Sequence, residues 1–202
     1  NEVKLPIIVL SYTPEDFMED ALKEDIILNC LSYDYALKLN EVAKNQDKKA
    51  KVLISIDTGI GRLGFSPDGK GLDEIHKISK LDHIELDGIY THFASSDAKD
   101  KKLSNEQLVK YKAVIETLKK DGIIFKHYHA ANSGAVVDMK ETYFDSVRPG
   151  IILYGYYPSN EVIRENLDIK PVMSIKGQII QLKTVPKGTG ISYGHRFVTE
   201  RE

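Results

Sequence analysis

Lys51–Phe65 reads KVLISIDTGIGRLGF, and this stretch decides the fold. Val52, Ile54 and Ile56 alternate with Leu53, Ser55 and Asp57, and β-branched residues at period two suit a half-buried pleated strand. The strand runs into Asp57-Thr58-Gly59-Ile60-Gly61-Arg62-Leu63-Gly64. Glycine at a strand end lets the backbone adopt φ > 0 or approach a ligand closely. An arginine carried on such a turn is placed to fork onto a carboxylate or phosphate. Gly59, Gly61 and Gly64 also spell G-x-G-x-x-G, the form of a dinucleotide fingerprint. That fingerprint requires a helix opening directly on the glycines, so that its first N–H groups face the pyrophosphate. Phe65-Ser66-Pro67-Asp68-Gly69-Lys70-Gly71 follows instead, a turn-rich loop, and no helical pattern resumes before Leu72. The context rejects a Rossmann site.

Strands and helices alternate on either side of this stretch. Lys4–Leu10 reads as a short buried strand. Thr13-Pro14-Glu15-Asp16 supplies an N-cap, a proline at the first helical position and early acid, with Phe17, Ala21 and Leu22 facing inward. Asp25–Leu31 is the next strand, and Ser32 caps a helix to about Asn45. Leu72, Ile75 and Ile78 mark a short helix before a strand over Ile84–His92. Ser104-Asn105-Glu106-Gln107 forms a capping box ahead of Leu108, Tyr111, Ile115 and Leu118, and Gly122 suits the residue after that helix. Phe125–Ala131 and a short Phe144–Val147 add two strands. This alternation predicts an α/β fold with a parallel sheet, and its regularity suggests a (β/α) barrel. Polar residues fall where barrels keep their chemistry, at the C-terminal ends of strands: Asp57 and Arg62, His92, Asn132 and Ser133, then Arg148. Pro171–Tyr193 changes texture, alternating with period two between Pro/Gly turns, which predicts the start of an antiparallel β domain. The boundary is expected near residue 165, giving units over 1–165 and 166–202.

Composition narrows the function classes. With 202 residues the chain is long enough for one sizeable core, and 42% hydrophobic with 29% charged residues is the balance of a globular protein. A net charge of −2 with both signs interspersed offers no basic face for nucleic acid. No apolar run reaches the length of a membrane span, so no membrane partner is expected. The one cysteine, Cys30, rules out an intrachain disulfide and fits a cytoplasmic setting. His127 and His129 share one strand face, a spacing used by zinc sites. No carboxylate cluster stands at the next strand end and Arg148 would repel a cation, so the pair reads as structural and no metal is expected. Asn132-Ser133-Gly134 and Arg148-Pro149-Gly150-Ile151 set amide, hydroxyl and glycine N–H groups on successive late loops. That is phosphate-binding chemistry, with simple turn structure as its alternative. Tyr193, between Ser192 and Gly194, reads by itself as an exposed strand tyrosine.

Taken together, IDTGIGRLGF, GIYTHFASSD, HAANSGA, SVRPGIILYG and GISYG resemble the alanine racemases, pyridoxal 5′-phosphate (PLP)-dependent enzymes that interconvert L- and D-alanine. The resemblance runs from about Lys4 to the end of the chain, in the family's order and at similar intervals. It implies a (β/α)8 TIM-type barrel, present here as about strands 3–8, followed by the start of the β domain. It implies that Asn132, Ser133, Gly150 and Ile151 belong to the PLP phosphate cradle and that Arg148 faces the pyridine nitrogen. Arg62 would hold the substrate carboxylate, and Tyr193 would be one of two acid/base groups at Cα. His92 would support Tyr193 by hydrogen bonding, and a head-to-tail homodimer would present Tyr193 to the partner's cofactor. The physiological role implied is D-alanine supply for peptidoglycan.

Two departures qualify the resemblance. Ser55 stands where many family members carry a carbamylated lysine that braces the arginine, so Arg62 needs another support. The family's cofactor lysine lies in a segment resembling AVVKANAYGHG, and no such segment occurs here. The chain therefore reads as an internal piece of a longer racemase, inactive by itself because the lysine is missing. The alternative is a non-catalytic barrel fragment that retains PLP or phosphate affinity, with a cofactor-free phosphate-ligand enzyme behind it.

Overall fold

The computed structural model describes residues 4–202, which divide into two compact units, one ending at Pro171 and the other spanning Val172–Glu202. The first unit is built on a parallel sheet of β1 (Leu28–Cys30), β2 (Ala50–Ile56), β3 (Ile84–Thr91) and β4 (His127–His129), in that spatial order. Helices α2 (Tyr33–Asn45), α3 (Gly69–Ile78) and α4 (Lys102–Lys120) make the crossovers, as parallel strands require. Single bridges continue the parallel order at both edges, Ile8 to Ile27 and Ser146 to His129. Six segments thus run side by side where six strands are expected, but the outer two pair through one residue each.

Those outer segments correct the sequence reading. The Lys4–Leu10 segment is not buried: Leu5, Ile8 and Leu10 are exposed and, with Ile27, Leu53 and Val147, border a groove of about 660 Å³ on the sheet face away from the helices. Phe144–Val147 is not a regular strand either, because Phe144 takes φ 48°, outside any strand geometry. β2 is buried on both faces and not on one. Val52, Ile54 and Ile56 pack into the large core under the helices, while Leu53 joins Ile27 and Tyr90 on the opposite face. A continuous apolar run is what a parallel sheet covered on two sides requires.

Helix starts show two further differences. The chain enters α1 (Met18–Lys23) through a 3-10 turn over Glu15–Phe17, which swings Phe17 into solvent and puts Met18 in the core beside Ala21 and Leu22. α4 begins at Lys102, ahead of the expected capping box, because the Asp100 carboxylate accepts from the Lys102 N–H. Ser104 is consequently a buried interior residue. Ser32, by contrast, accepts from the Tyr35 N–H and caps α2 as expected. A short helix α5 (Ser133–Asp138) follows β4 and is capped by Asn132.

The second unit carries one antiparallel pair, β5 (Gly190–Ile191) with β6 (Phe197–Val198). The antiparallel pairing agrees with the period-two pattern. Residues 172–189 hold no regular element, however, so the pairing is shorter and later than that pattern predicts. Among the described residues no helix is long and apolar enough to cross a membrane.

Candidate active site

The strand-end loops of the first unit carry the polar residues, and β2 supplies the first. Asp57, next after β2, accepts from the backbone N–H groups of Gly59, Ile60 and Gly61 at 3.0 Å and of Arg62 at 3.1 Å. Burial works against the Asp57 charge, but those four donors outweigh it and hold the carboxyl below its ordinary range. The loop closes back on the strand at Phe65, which bridges Ile56. Gly64 permits this closure: it has φ 127°, and a Cβ there would stand 2.8 Å from the Ser55 carbonyl oxygen. Arg62 rides on the outside of this cage with an exposed side chain. The glycines therefore build a carboxylate-centred turn and not a helix N-terminus.

β3 delivers His92 next. A relay of hydroxyls fixes its strand end: Gln107 donates to Thr58, Thr58 to Thr91 and Thr91 to the Ile56 carbonyl, at 3.2, 2.7 and 2.8 Å. Gln107 also donates to the His92 carbonyl at 3.1 Å and accepts from Ala94 N–H. Burial first, then Arg148 and Arg62, hold the His92 imidazole down to a pKa of about 4. It is a neutral group at physiological pH. Gln107 is a residue that sequence reasoning placed in a capping box; helical spacing by itself gave no sign of this bracing role.

Arg148 is the centre of the arrangement. Its Nη1 donates to His129 Nδ1 at 2.6 Å, and its Nη2 donates to the carbonyls of Thr91 at 2.6 Å and Ala130 at 3.2 Å. The guanidinium lies over the Tyr90 ring, 4.8 Å from the centroid, and Tyr90 stacks on His129 at 5.3 Å. Tyr90 is anchored in turn, accepting from Asn29 and donating to the Leu10 carbonyl. Burial pulls the arginine down only to about 10, so it stays charged, and burial with Arg148 pushes His129 to about 3. A neutral His129 is what the acceptor role demands. One nitrogen is left over: Arg148 Nε is buried and has no partner among the described residues. Ser55 is buried as well, and its hydroxyl has no partner among the described residues.

Arg148 shares a cavity of about 250 Å³ with His92, Ser96, Asn132, Ser133 and Gly150. The structure thus brings together five of the eight sequence-predicted site residues, and adds Ser96. Ser133 Oγ accepts from the Gly150 N–H at 2.9 Å, which leaves the hydroxyl proton free to donate. The Asn132 side chain is spent internally, accepting from Ser96 and Ala135 and donating to the Phe93 carbonyl. Ile151 opens a 3-10 turn, half exposed. Arg62 does not line this cavity. Tyr193 belongs to the second unit, where it is 98% exposed between Ser192 and Gly194, both at positive φ. His127 is exposed while His129 is buried, with its Nδ1 engaged by Arg148.

A parallel-sheet domain with a polar cavity at its strand ends is the barrel type expected. The comparisons make the class specific. The family model for the alanine racemase N-terminal domain matches residues 1–158. The alanine racemase of Clostridium tetani is 46% identical over 200 residues, 99% of this chain and 52% of that protein. Among solved structures, alanine racemase from Clostridium difficile superposes with a TM-score of 0.87 at 39% identity, covering 98% of this chain and 52% of the other. Alanine racemase from Bartonella henselae, solved with covalently bound pyridoxal phosphate, gives 0.78 at 27% identity, covering 98% of this chain and 52% of that one. The chain belongs to the alanine racemase family, and it spans about half the length of the curated relatives it matches.

Proposed function

We propose that this chain is the cofactor-cradle portion of a PLP-dependent alanine racemase, acting in the cytoplasm to supply D-alanine for peptidoglycan. We assign residues 1–165 to the PLP-binding barrel and 166–202 to the start of the β domain. The observation that carries the reading is Arg148: a half-buried guanidinium held by three acceptors and a ring, whose buried Nε has no partner among the described residues, beside a hydroxyl–glycine cradle. A buried donor without a partner is costly, and a ring nitrogen is the acceptor type that would satisfy Nε. Ser133 and the Gly150 and Ile151 backbone would hold the phosphate, with Asn132 positioning them.

PLP, when bound, supplies an electron-withdrawing ring that acidifies the alanine Cα–H. The chain's own residues do the rest. Arg62, exposed on its carboxylate-centred turn, binds the substrate carboxylate. Tyr193 Oη takes or returns the proton on one face of Cα, and it does so for the partner subunit of a head-to-tail homodimer. His92, neutral at physiological pH, can act as a hydrogen-bond acceptor at the cavity. A charged Arg148 would disfavour a proton on the ring nitrogen of bound PLP, and so would limit side reactions.

The test is to follow the amide resonances of Ser133, Gly134 and Gly150 as PLP or inorganic phosphate is added. Movement of these amides, abolished by Ser133→Asp, supports the reading; unmoved amides overturn it. A second reading, a cradle without catalysis, is favoured by one observation: among the described residues no lysine borders the cavity.

A further inference from the structure

Lys101 and Asp138 form an ion pair at 2.8 Å whose carboxylate is only 1% exposed. Neither residue lines the cavity, yet three of the four segments that line it are tied together at this pair. Lys101 Nζ also donates to the Ser96 carbonyl at 2.7 Å, which pins the loop after β3. Ser96 Oγ donates to Asn132 Oδ1 at 2.5 Å, and Asn132 caps the helix that opens with Ser133. The other oxygen of Asp138 accepts from the Ile163 N–H at 3.1 Å and from Asn166 Nδ2 at 3.2 Å. That holds the segment beyond Pro158, itself a cavity residue, and Ser159 ties the same segment to the Asp97 carbonyl at 2.8 Å. The fit between the walls leaves no slack. A Cβ at Gly134 would stand 2.6 Å from Asp97 N and 2.8 Å from Ser96 Oγ.

A buried ion pair adds little net stability, since desolvation consumes most of the Coulomb gain; fixing geometry is the better account of one that joins three segments. We propose that Lys101 and Asp138 are positioning residues for the anion cradle, setting Ser133 and Gly150 through Ser96 and Asn132. The inference rests on the phosphate-cradle reading above and adds to it two residues outside the cavity. It separates from two rivals. If the pair acted only through charge, removing Asp138 would leave Lys101 unneutralised and tighten anion binding, while removing Lys101 would weaken it. If the pair were only a staple for the fold, both changes would lower the melting temperature and leave affinity alone. A positioning pair predicts weaker binding from both.

The experiment is a phosphate titration of the chain, Lys101→Met and Asp138→Asn, read at the Ser133 and Gly150 amides well below each melting temperature. Both variants are expected to bind inorganic phosphate roughly tenfold more weakly, the scale of loss seen when supporting contacts behind a ligand are removed. Should Asp138→Asn not fold, Asn166→Ala replaces it, because it removes one Asp138 contact without changing net charge. Weaker binding there again supports the inference. Unchanged affinity, or opposite signs in the two charge variants, overturns it while leaving the cradle reading in place. A wild-type chain silent to phosphate removes the cradle reading itself.

Discussion

Arg148 Nη1 donates to His129 Nδ1 at 2.6 Å, and the two side chains face the same tyrosine: Tyr90 stacks on the imidazole and lies under the guanidinium. A charged donor on a neutral acceptor is a strong hydrogen bond, and the burial of His129 limits competition from water. His129→Leu deletes the acceptor and leaves a buried guanidinium nitrogen unpaired. The expected cost is about 2–3 kcal/mol. His129→Gln keeps an acceptor in the chain and should lose about half as much. Urea denaturation of the two variants checks this ordering, and equal losses would mean that the hydrogen bond is not what His129 contributes.

The same neutral imidazole sets a pH dependence. His129 and His92 titrate at about 3 and about 4 in the folded chain, against 6.5 for a free imidazole. The unfolded chain therefore binds more protons below pH 6.5, and stability must fall as the solution is acidified. Each imidazole contributes up to ~1.4 kcal/mol per pH unit between its unfolded and folded values. Asp57, held below its ordinary range, adds a further loss at lower pH. The midpoint of urea unfolding should therefore drop steadily from pH 7 to pH 5, and His129→Gln should flatten that slope.

The strand ends were legible because a parallel sheet concentrates polar residues there, and Asp57, His92, Asn132 and Arg148 were found on that rule. What stayed hidden was non-local. The His129 spacing was visible, but its partner stands 19 residues away, and the Tyr90 hydroxyl reaches 80 residues back to Leu10. Ser104 was misread because a capping-box pattern carries no information about Asp100, a stronger local competitor. Gln107 looked like half of that box, and only tertiary contacts reveal it as a brace for His92. In the second unit the alternation was real in the sequence, yet period two states which residues could pair and not what they pair with.

Gly64 and Gly61 should respond differently to the same substitution. Both have positive φ, 127° and 69°. A Cβ at Gly64 meets backbone on two sides, the Ser55 oxygen at 2.8 Å and the Asp57 nitrogen at 2.9 Å, whereas nothing lies within 4 Å of one at Gly61. Gly64→Ala combines backbone strain with a clash that no rotamer relieves, and should cost about 2–4 kcal/mol. Gly61→Ala meets only the left-handed penalty of about 1 kcal/mol. Thermal melts of the pair decide it. The loss at Gly64 should also disturb the Asp57 cage, visible as altered shifts of the Gly59 to Arg62 amides.

The lysine that would anchor PLP is open to a direct chemical test. No lysine borders the cavity among the described residues; Lys101, whose Nζ reaches the Ser96 carbonyl, is engaged by that carbonyl and by Asp138. A side chain so tied to a buried carboxylate and a backbone carbonyl is not free to reach an aldehyde in the cavity. Incubating the chain with PLP, reducing with borohydride and mapping the product by mass spectrometry should therefore give no stoichiometric label on a single lysine. Scattered labelling of surface lysines is compatible with this, since they react without a site. One lysine labelled at one equivalent would place an anchor within these residues, and the division of labour proposed for Arg148, Ser133 and Gly150 would then have to be rebuilt around it.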